Sequence, residues 1–281
     1  MALQALKYTL NNMNTISIAI ATYNEETNIA KCLDAVADWV DEIVIVDGSS
    51  TDNTVLIAQK YPHVKIISTT NKPMFHLNKQ MAIEACKSDW ILQLDADEII
   101  TKNLKQEIQK ILKNNINDVT ESGYWIPRKN FFLGKFLTKG GVYPDPTIRL
   151  YKNGAGKLPC VSVHEQVKIN GPVGWLKADL LHYADPSFSR YLLRNNRYTS
   201  LIAKELQDQN IPFNIVNFLN YFVLKPIYWF FLAYFRHRGY VDGFPGFVFA
   251  WYSSLRFPIS YIKYYELSFS KKELNLKTDW D

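Results

Sequence analysis

The stretch Trp90-Ile91-Leu92-Gln93-Leu94-Asp95-Ala96-Asp97-Glu98 runs five largely apolar residues straight into three acids. Two carboxylates separated by one residue can hold a hard divalent cation through oxygen, as Mg²⁺ and Mn²⁺ prefer. Such a cation keeps room for phosphate oxygens, so the pattern points to a phosphorylated substrate. The plainer alternative is a solvated acidic turn, with Asp97 or Glu98 serving a following helix. Two earlier polar loops also carry acids after apolar runs: Thr22-Tyr23-Asn24-Glu25-Glu26 and Asp47-Gly48-Ser49-Ser50-Thr51-Asp52. Glu25 and Asp47 can accept hydrogen bonds from a nucleoside base or ribose. Later in the chain, Asp145, Arg149, His164, Glu165 and His182 supply further ionisable groups.

These loops need elements that bring them to one place. Apolar runs predict strands over 16–21, 43–46, 64–67 and 90–94. Helical spacing or composition predicts helices over 28–40, from 50–52 to Gln59, over 75–87 and over 104–113. Strands alternating with short helices predict a mostly parallel α/β sheet flanked by helices. In such a sheet ligands bind beyond the carboxyl ends of the strands, where right-handed crossovers gather the three loops. Neither a G-x-G-x-x-G nor a P-loop pattern is present, which argues against dinucleotide and ATPase sites. Short strands are expected over 123–128, 147–151 and 161–167, followed by a long helix over 187–209 with a basic side at Arg190, Arg194, Arg197 and Lys204.

Composition bounds the setting. The chain has 281 residues, 47% hydrophobic and 21% charged, with net charge +5, as a globular protein should. Residues 1–189 are balanced, 20 Lys+Arg against 20 Asp+Glu, whereas residues 190–281 carry 12 against 7. Half of the 40 aromatic residues lie within 211–265. A basic, aromatic C-terminal third behind a neutral front is expected to meet an anionic membrane surface. No nucleic-acid-binding module is recognisable. Leu219–Phe235 is apolar but contains Lys225 and Pro226, and Gly243-Phe244-Pro245-Gly246 breaks the chain before a second aromatic stretch. Two interfacial or re-entrant helices with snorkelling cations are expected rather than two membrane spans; a helical hairpin buried in the protein or in the dimer interface of a homo-oligomer is the alternative. Three well-separated cysteines, Cys32, Cys86 and Cys160, fit a reducing compartment, and no cleavable signal peptide is expected. The expected domains are 1–210 and 211–281.

Taken together, Ala21-Thr22-Tyr23-Asn24-Glu25-Glu26, Asp47-Gly48-Ser49-Ser50-Thr51-Asp52 and Leu94-Asp95-Ala96-Asp97-Glu98 resemble family 2 glycosyltransferases of the GT-A fold. Asp145-Pro146-Thr147-Ile148-Arg149-Leu150-Tyr151, Val163-His164-Glu165, Leu181-His182-Tyr183 and the stretch 239–246 resemble the bacterial lipopolysaccharide core β-glucosyltransferase branch. Gln80 departs from that branch, which usually has asparagine there. The resemblance implies a UDP-sugar donor, Mn²⁺ or Mg²⁺, a lipid-linked saccharide acceptor and a place on the cytoplasmic face of the bacterial inner membrane. It implies that Thr22, Tyr23, Glu25 and Asp47 line the nucleoside site and that Lys79 reaches the donor. Asp95 would face ribose or metal, and Asp97 and His182 would bind the metal.

Glu165 sits where that family places its catalytic base, with Asp145 as the nearest competitor. Arg149 is expected to be a structural partner of a carboxylate. A carboxylate that deprotonates a sugar hydroxyl as it attacks the anomeric carbon gives a single, inverting displacement. A retaining route needs a second nucleophile, for which the sequence offers no clear candidate. Two other readings are a metal-dependent phosphatase with an aspartate nucleophile and a catalytically silent membrane-surface scaffold. The phosphatase motif belongs after a first strand and needs a threonine two residues after its second aspartate, whereas here it ends the fourth strand and lacks one.

Overall fold

Strands that are apolar along their whole length must be covered on both faces. Three such strands lie side by side in the sheet, β1 (Ile16–Thr22), β2 (Glu42–Asp47) and β4 (Trp90–Asp95), and the half-exposed β3 (Val64–Ser68) forms the edge beside β2. The computed structural model describes residues 14–72, 74–160 and 165–269. The chain groups into two units: one runs to Arg128 and resumes over Asp145–His182, and the other comprises Lys129–Pro144 and the chain from Tyr183 onward. The boundary thus falls near 183, where the sequence suggested 210.

In the first unit the sheet continues through β6 (Gly123–Ile126), β9 (Thr147–Lys152) and β12 (Val173–Trp175), in the order β12-β6-β9-β4-β1-β2-β3. β3, β2, β1 and β4 are mutually parallel, β9 runs antiparallel to β4 and β6, and β12 is parallel to β6. Because side chains alternate across a sheet, Ile16, Ile18, Ile20, Ile43, Ile45, Leu92 and Leu94 fill one face. Ala19, Val44, Val46 and Ile91 fill the other. Helices α1 (Ile29–Asp34), α2 (Thr54–Ala58) and α4 (Lys102–Leu112) cover the first face, and α3 (Phe75–Ala85) covers the second.

α4 shows the local logic. Leu104, Ile108 and Leu112 recur every four residues and are buried, each burial contributing about 1.5–3 kcal/mol. Thr101 caps the helix by accepting from Leu104 N at 3.2 Å, and its hydroxyl donates to Asp179 O at 2.8 Å. β5 (Glu98–Ile100), just before this cap, pairs antiparallel with β13 (Leu180–His182), setting His182 opposite Glu98.

Several expectations change. The helix predicted over 28–40 ends at Asp34, and residues 35–39 continue as turns tied by Trp39 Nε1 donating to Ala35 O. The strand predicted over 123–128 is interrupted at Pro127, which has no N–H to offer a ladder. Of the strand predicted over 161–167, residues 161–164 lie outside the described residues and 165–167 are not extended in a ladder.

The second unit opens with β7 (Arg128–Phe132) and β8 (Lys135–Phe136), joined by Leu133 and Gly134, both at positive φ. α5 (Phe188–Asp208) packs along α8 (Arg256–Phe269). α6 spans Ile215–Arg236 and widens into π-helical turns at Asn220–Leu224 and Leu232–Arg236. The first widening precedes Pro226, whose ring would clash with a carbonyl of a regular turn, so the helix passes it unbroken. By length and composition alone α6 is long enough to cross a membrane.

The expected break at 243–246 is instead the start of α7 (Gly243–Ser254), with Gly243 at φ +66° and Pro245 in the first turn, where proline is tolerated. Gly246 lies so close to Gly239 O that a Cβ there would collide with it. Asp242, 2% exposed, accepts from Thr138 N at 2.9 Å, Thr138 Oγ1 at 2.8 Å and Lys139 N at 2.8 Å. The glycine-rich motif at 239–246 therefore has a packing role within this unit.

Candidate active site

The parallel register puts the loop residues in one row: Thr22 is level with Asp47, and Ala21 with Asp95. The two loops after β1 and β2 are zipped together. Asn24 N donates to Ser50 Oγ at 2.9 Å, Thr51 N to Asn24 Oδ1 at 2.8 Å, and Glu25 N to Thr54 Oγ1 at 2.7 Å. Asn24 and Ser49 both take positive φ, a conformation asparagine tolerates better than most residues. Gly48 is needed because a Cβ there would stand 3.2 Å from Asn71 Cα and 3.3 Å from Thr22 O.

Asp47 is buried and accepts from Thr22 Oγ1 at 3.0 Å, Ser50 Oγ at 2.6 Å and Ser50 N at 2.9 Å. A carboxylate has about four acceptor sites, so roughly one remains for a ligand. Glu25 accepts from Asn28 Nδ2 at 2.8 Å, and Tyr23 stands exposed.

Beyond β4 lies a cleft of about 200 Å³ whose walls include His76, Lys79, Asp95, Arg149 and Glu165. Asp95 is gripped by Lys79 on one oxygen and by Arg149 Nη2 on the other, the latter at 2.7 Å. Burial pushes the Asp95 carboxyl up, but Arg149 and then Lys79 outweigh it and hold its pKa well below the usual carboxylate range. Lys79 also lies 4.7 Å from the Phe75 ring centroid.

Beneath Asp95, Glu98 is fully buried. It accepts from Asp95 N at 3.0 Å, Arg149 Nη2 at 2.8 Å and Arg128 Nη1 at 3.2 Å. Arg149 completes its contacts at Gln93 Oε1, while its Nε is buried without a partner. Asp145, the rival base, is held by Arg128 through Nη2 at 2.6 Å and Nε at 3.1 Å.

Asp97 approaches His182 Nε2 at 3.4 Å. Burial raises its pKa, and the His182 imidazole more than offsets this and lowers it. Among the described residues no three His, Cys, Asp or Glu side chains converge as a metal cage. Asp97 and His182 form a pair, and both oxygens of Asp95 face protein cations, so the geometry gives no support to Asp95 as a metal ligand. A carboxylate and an imidazole nevertheless suit Mn²⁺ or Mg²⁺, which fill their shells with water and phosphate oxygens.

The structure thus brings Lys79, Asp95 and Glu165 together around one cleft and sets Asp97 and His182 face to face. Thr22, Tyr23, Glu25 and Asp47 line the neighbouring part of the same sheet edge rather than the cleft itself. His164 lies outside the described residues. Sequence reasoning did not single out His76, Gln93 or Arg128 for roles here. Gln93 at least carried a signal, as a polar residue inside an apolar strand.

The family model for glycosyl transferase family 2 matches residues 17–164. An uncharacterized glycosyltransferase of Rickettsia felis is 33% identical over 249 residues, covering 84% of each chain. The lipopolysaccharide core biosynthesis glycosyltransferase LpsC of Rhizobium meliloti is 29% identical over 239 residues, covering 83% of this chain and 85% of LpsC. Among solved structures, S. aureus TarS (residues 1–349) in complex with UDP aligns with TM-score 0.46 at 15% identity, over 92% of this chain and 93% of that one. The matched span includes the parallel core from Ser17 onward and all three acid-bearing loops that the register aligns. This leaves the phosphatase reading without support, and the chain belongs to glycosyltransferase family 2, with its GT-A fold.

Proposed function

We propose that the protein transfers a hexose, glucose in the first instance, from a UDP-sugar to a hydroxyl of a lipid-linked or lipopolysaccharide-core saccharide, with inversion. The observation that carries this reading is Glu165 lining the cleft at the end of β4 together with Lys79, Asp95 and Arg149. The LpsC name supports the acceptor class. Thr22, Tyr23, Glu25 and Asp47 hold the nucleoside, and Lys79 meets the donor phosphates. The acceptor oxygen attacks the anomeric carbon, the bond to the diphosphate breaks, and Glu165 takes the hydroxyl proton. Asp145, the rival base, is held by Arg128. Asp97 and His182 would hold Mn²⁺ or Mg²⁺, which supplies charge neutralisation for the departing diphosphate.

Glu165→Gln keeps shape and loses the proton acceptor. It should lower kcat about 10²–10⁴-fold while UDP affinity stays within a few-fold. A dead Asp145→Asn beside an active Glu165→Gln would reverse the assignment. Absence of transfer from every UDP-sugar would leave the scaffold reading standing.

The same reading places the enzyme on the cytoplasmic face of an anionic membrane, without crossing it. Val216, Leu219, Leu224, Ile227, Tyr228, Phe231 and Phe235 of α6 are exposed. The cations among them are turned onto aromatic rings: Lys225 Nζ lies 3.7 Å from the Tyr221 centroid, and the Arg256 guanidinium 3.9 Å from that of Trp229. Arg236 ends α6 and Arg238 lies just beyond it. Leu224→Glu with Tyr228→Glu should release the full chain from anionic vesicles, and salt should weaken wild-type binding only partly, because apolar contact is not screened. Cleavage of a C-terminal tag from the periplasmic side would show that the chain crosses.

A further inference from the structure

We infer that His76 is a sugar-recognition residue, its imidazole hydrogen-bonding a hydroxyl of the hexose that occupies the cleft. The inference rests on the transferase reading above. His76 sits in the first turn of α3, one helical turn before Gln80 and three residues before Lys79. It is 4% exposed and forms part of the cleft wall, yet its Nδ1 is buried with no hydrogen-bond partner. A buried polar atom left unpaired is unfavourable, and native proteins satisfy nearly all of them. A ligand in the cleft would supply the missing partner.

The neighbourhood selects the kind of ligand. Arg149 is committed to Asp95 and Glu98, and Arg128 to Glu98 and Asp145, while Lys79, paired with Asp95, is the cation that the transferase reading gives to the donor phosphates. The lining also includes Ile148, Leu158 and Val167, which offer no polar group at their side chains. Phe75 lies against the imidazole, ring centroids 4.2 Å apart and 31° between planes. Burial first, then the charge of Lys79, lowers the His76 pKa, which favours the neutral ring. A neutral imidazole has one donor and one acceptor nitrogen, and rotation about its Cβ–Cγ bond exchanges its edges. That matches a hydroxyl, which both gives and accepts, better than a phosphate, which calls for cationic or backbone donors. A hexose hydroxyl meeting the imidazole edge, in a cleft that mixes polar and apolar side chains, fits these features.

The hydroxyl can belong to the donor hexose or to the acceptor, and two measurements separate the sources. Full-length wild type, His76→Phe and His76→Asn are titrated with UDP and with UDP-glucose, UDP-galactose and UDP-GlcNAc in Mn²⁺, and acceptor KM is measured alongside. His76→Phe keeps a flat ring and removes both nitrogens; His76→Asn keeps a donor and an acceptor. If the donor sugar is recognised, His76→Phe leaves UDP affinity within about twofold and lowers the ratio of UDP-sugar to UDP affinity about tenfold, equivalent to about 1.4 kcal/mol. His76→Asn recovers part of the loss. If the acceptor is recognised, that ratio holds and acceptor KM rises about tenfold. A purely structural histidine would change melting temperature while leaving both readouts at wild-type values, and that result overturns the inference. A wild-type chain that binds UDP-sugars no better than UDP, and transfers none, would instead overturn the transferase reading beneath it.

Discussion

The sheet edge of the first unit and the helical bundle of the second solve opposite problems. At the sheet edge, charge is taken inside: Asp95, Glu98, Arg128 and Arg149 interlock, with Glu98 and Arg149 almost wholly removed from solvent. Such groups are stable only as a set, because each isolated buried charge would be costly. In the bundle, apolar surface is left outside along α6 while Lys225 and Arg256 are folded back onto aromatic faces. A contiguous exposed apolar surface of this kind marks a surface made to meet something. One unit is thus organised by electrostatic closure around a cleft, and the other by steric closeness of backbone and rings.

The largest effect should come from Asp97, where the edge meets what the chain does not supply. Asp97→Ala should abolish transfer. UDP affinity in Mn²⁺ should fall to the level seen in EDTA, and the wild type should lose the same increment on chelation. Equal UDP affinity for mutant and wild type in both buffers would sink the joint metal–nucleotide site.

Breaking the closed charge set comes next. Arg149→Leu leaves Glu98 with Arg128 and Asp95 with Lys79, each short of a partner. Loss of one member of a buried set typically costs about 3–5 kcal/mol, read as a lowered denaturation midpoint. The pH dependence has a definite sign. The folded-state pKa of Asp95 is depressed, so its stabilisation is present above the unfolded value of about 3.9 and is lost as pH falls through the folded value. Without Arg149, burial gains on Lys79 and the folded value rises. The acid limb of the stability curve should therefore move to higher pH in Arg149→Leu. An unchanged acid midpoint would mean that Lys79 alone sets the Asp95 pKa.

The second unit should respond to steric insult at Gly246. Gly246→Ala forces a methyl against Gly239 O, a backbone atom that cannot step aside as a side chain can. Overpacking of this kind costs about 1–3 kcal/mol. Vesicle binding should suffer while UDP affinity stays within about twofold. A large loss of UDP affinity in Gly246→Ala would show that the contrast between the units is drawn wrongly.

Much of this was legible in the sequence, and the pattern of misses is physical. β1, β2 and β4 announce themselves because a strand covered on both faces is continuously apolar and stops at polar, glycine-bearing turns. The row formed by Thr22, Asp47 and Asp95 follows from parallel register. Arg149 as a carboxylate partner was foreseeable from its type, but Arg128 and His76 were not. Their roles depend on which side chains approach across 17 to 30 residues or more of sequence, as with Arg128 and both Asp145 and Glu98. The helix expected over 28–40 stops at Asp34 because its apolar spacing continues into turns, which periodicity alone does not separate from helix. Gly243 and Gly246 were read as a chain break; one opens a helix and the other admits a close backbone contact. Glycine marks both situations equally well from sequence.

The smallest expected effect lies at Thr101, and it probes how the sheet edge is held in register. Its hydroxyl accepts from Leu104 N and donates to Asp179 O, so one side chain both caps α4 and ties down the residue before β13. β13 in turn carries His182 opposite Glu98, next to the acidic loop. Thr101→Ala removes the cap, at about 1 kcal/mol, and the hydrogen bond to Asp179 O. Thr101→Ser keeps both bonds and should recover most of the loss. If the tie matters for the site, Thr101→Ala should also weaken the Mn²⁺-dependent increment of UDP binding about two- to threefold, through looser placement of His182 beside Asp97. UDP binding in EDTA should not change, because the loops holding Thr22 and Asp47 are zipped independently by Asn24, Ser50 and Thr51. A stability loss with a wild-type Mn²⁺ increment would confine Thr101 to capping and leave the placement of His182 to the β5–β13 ladder alone.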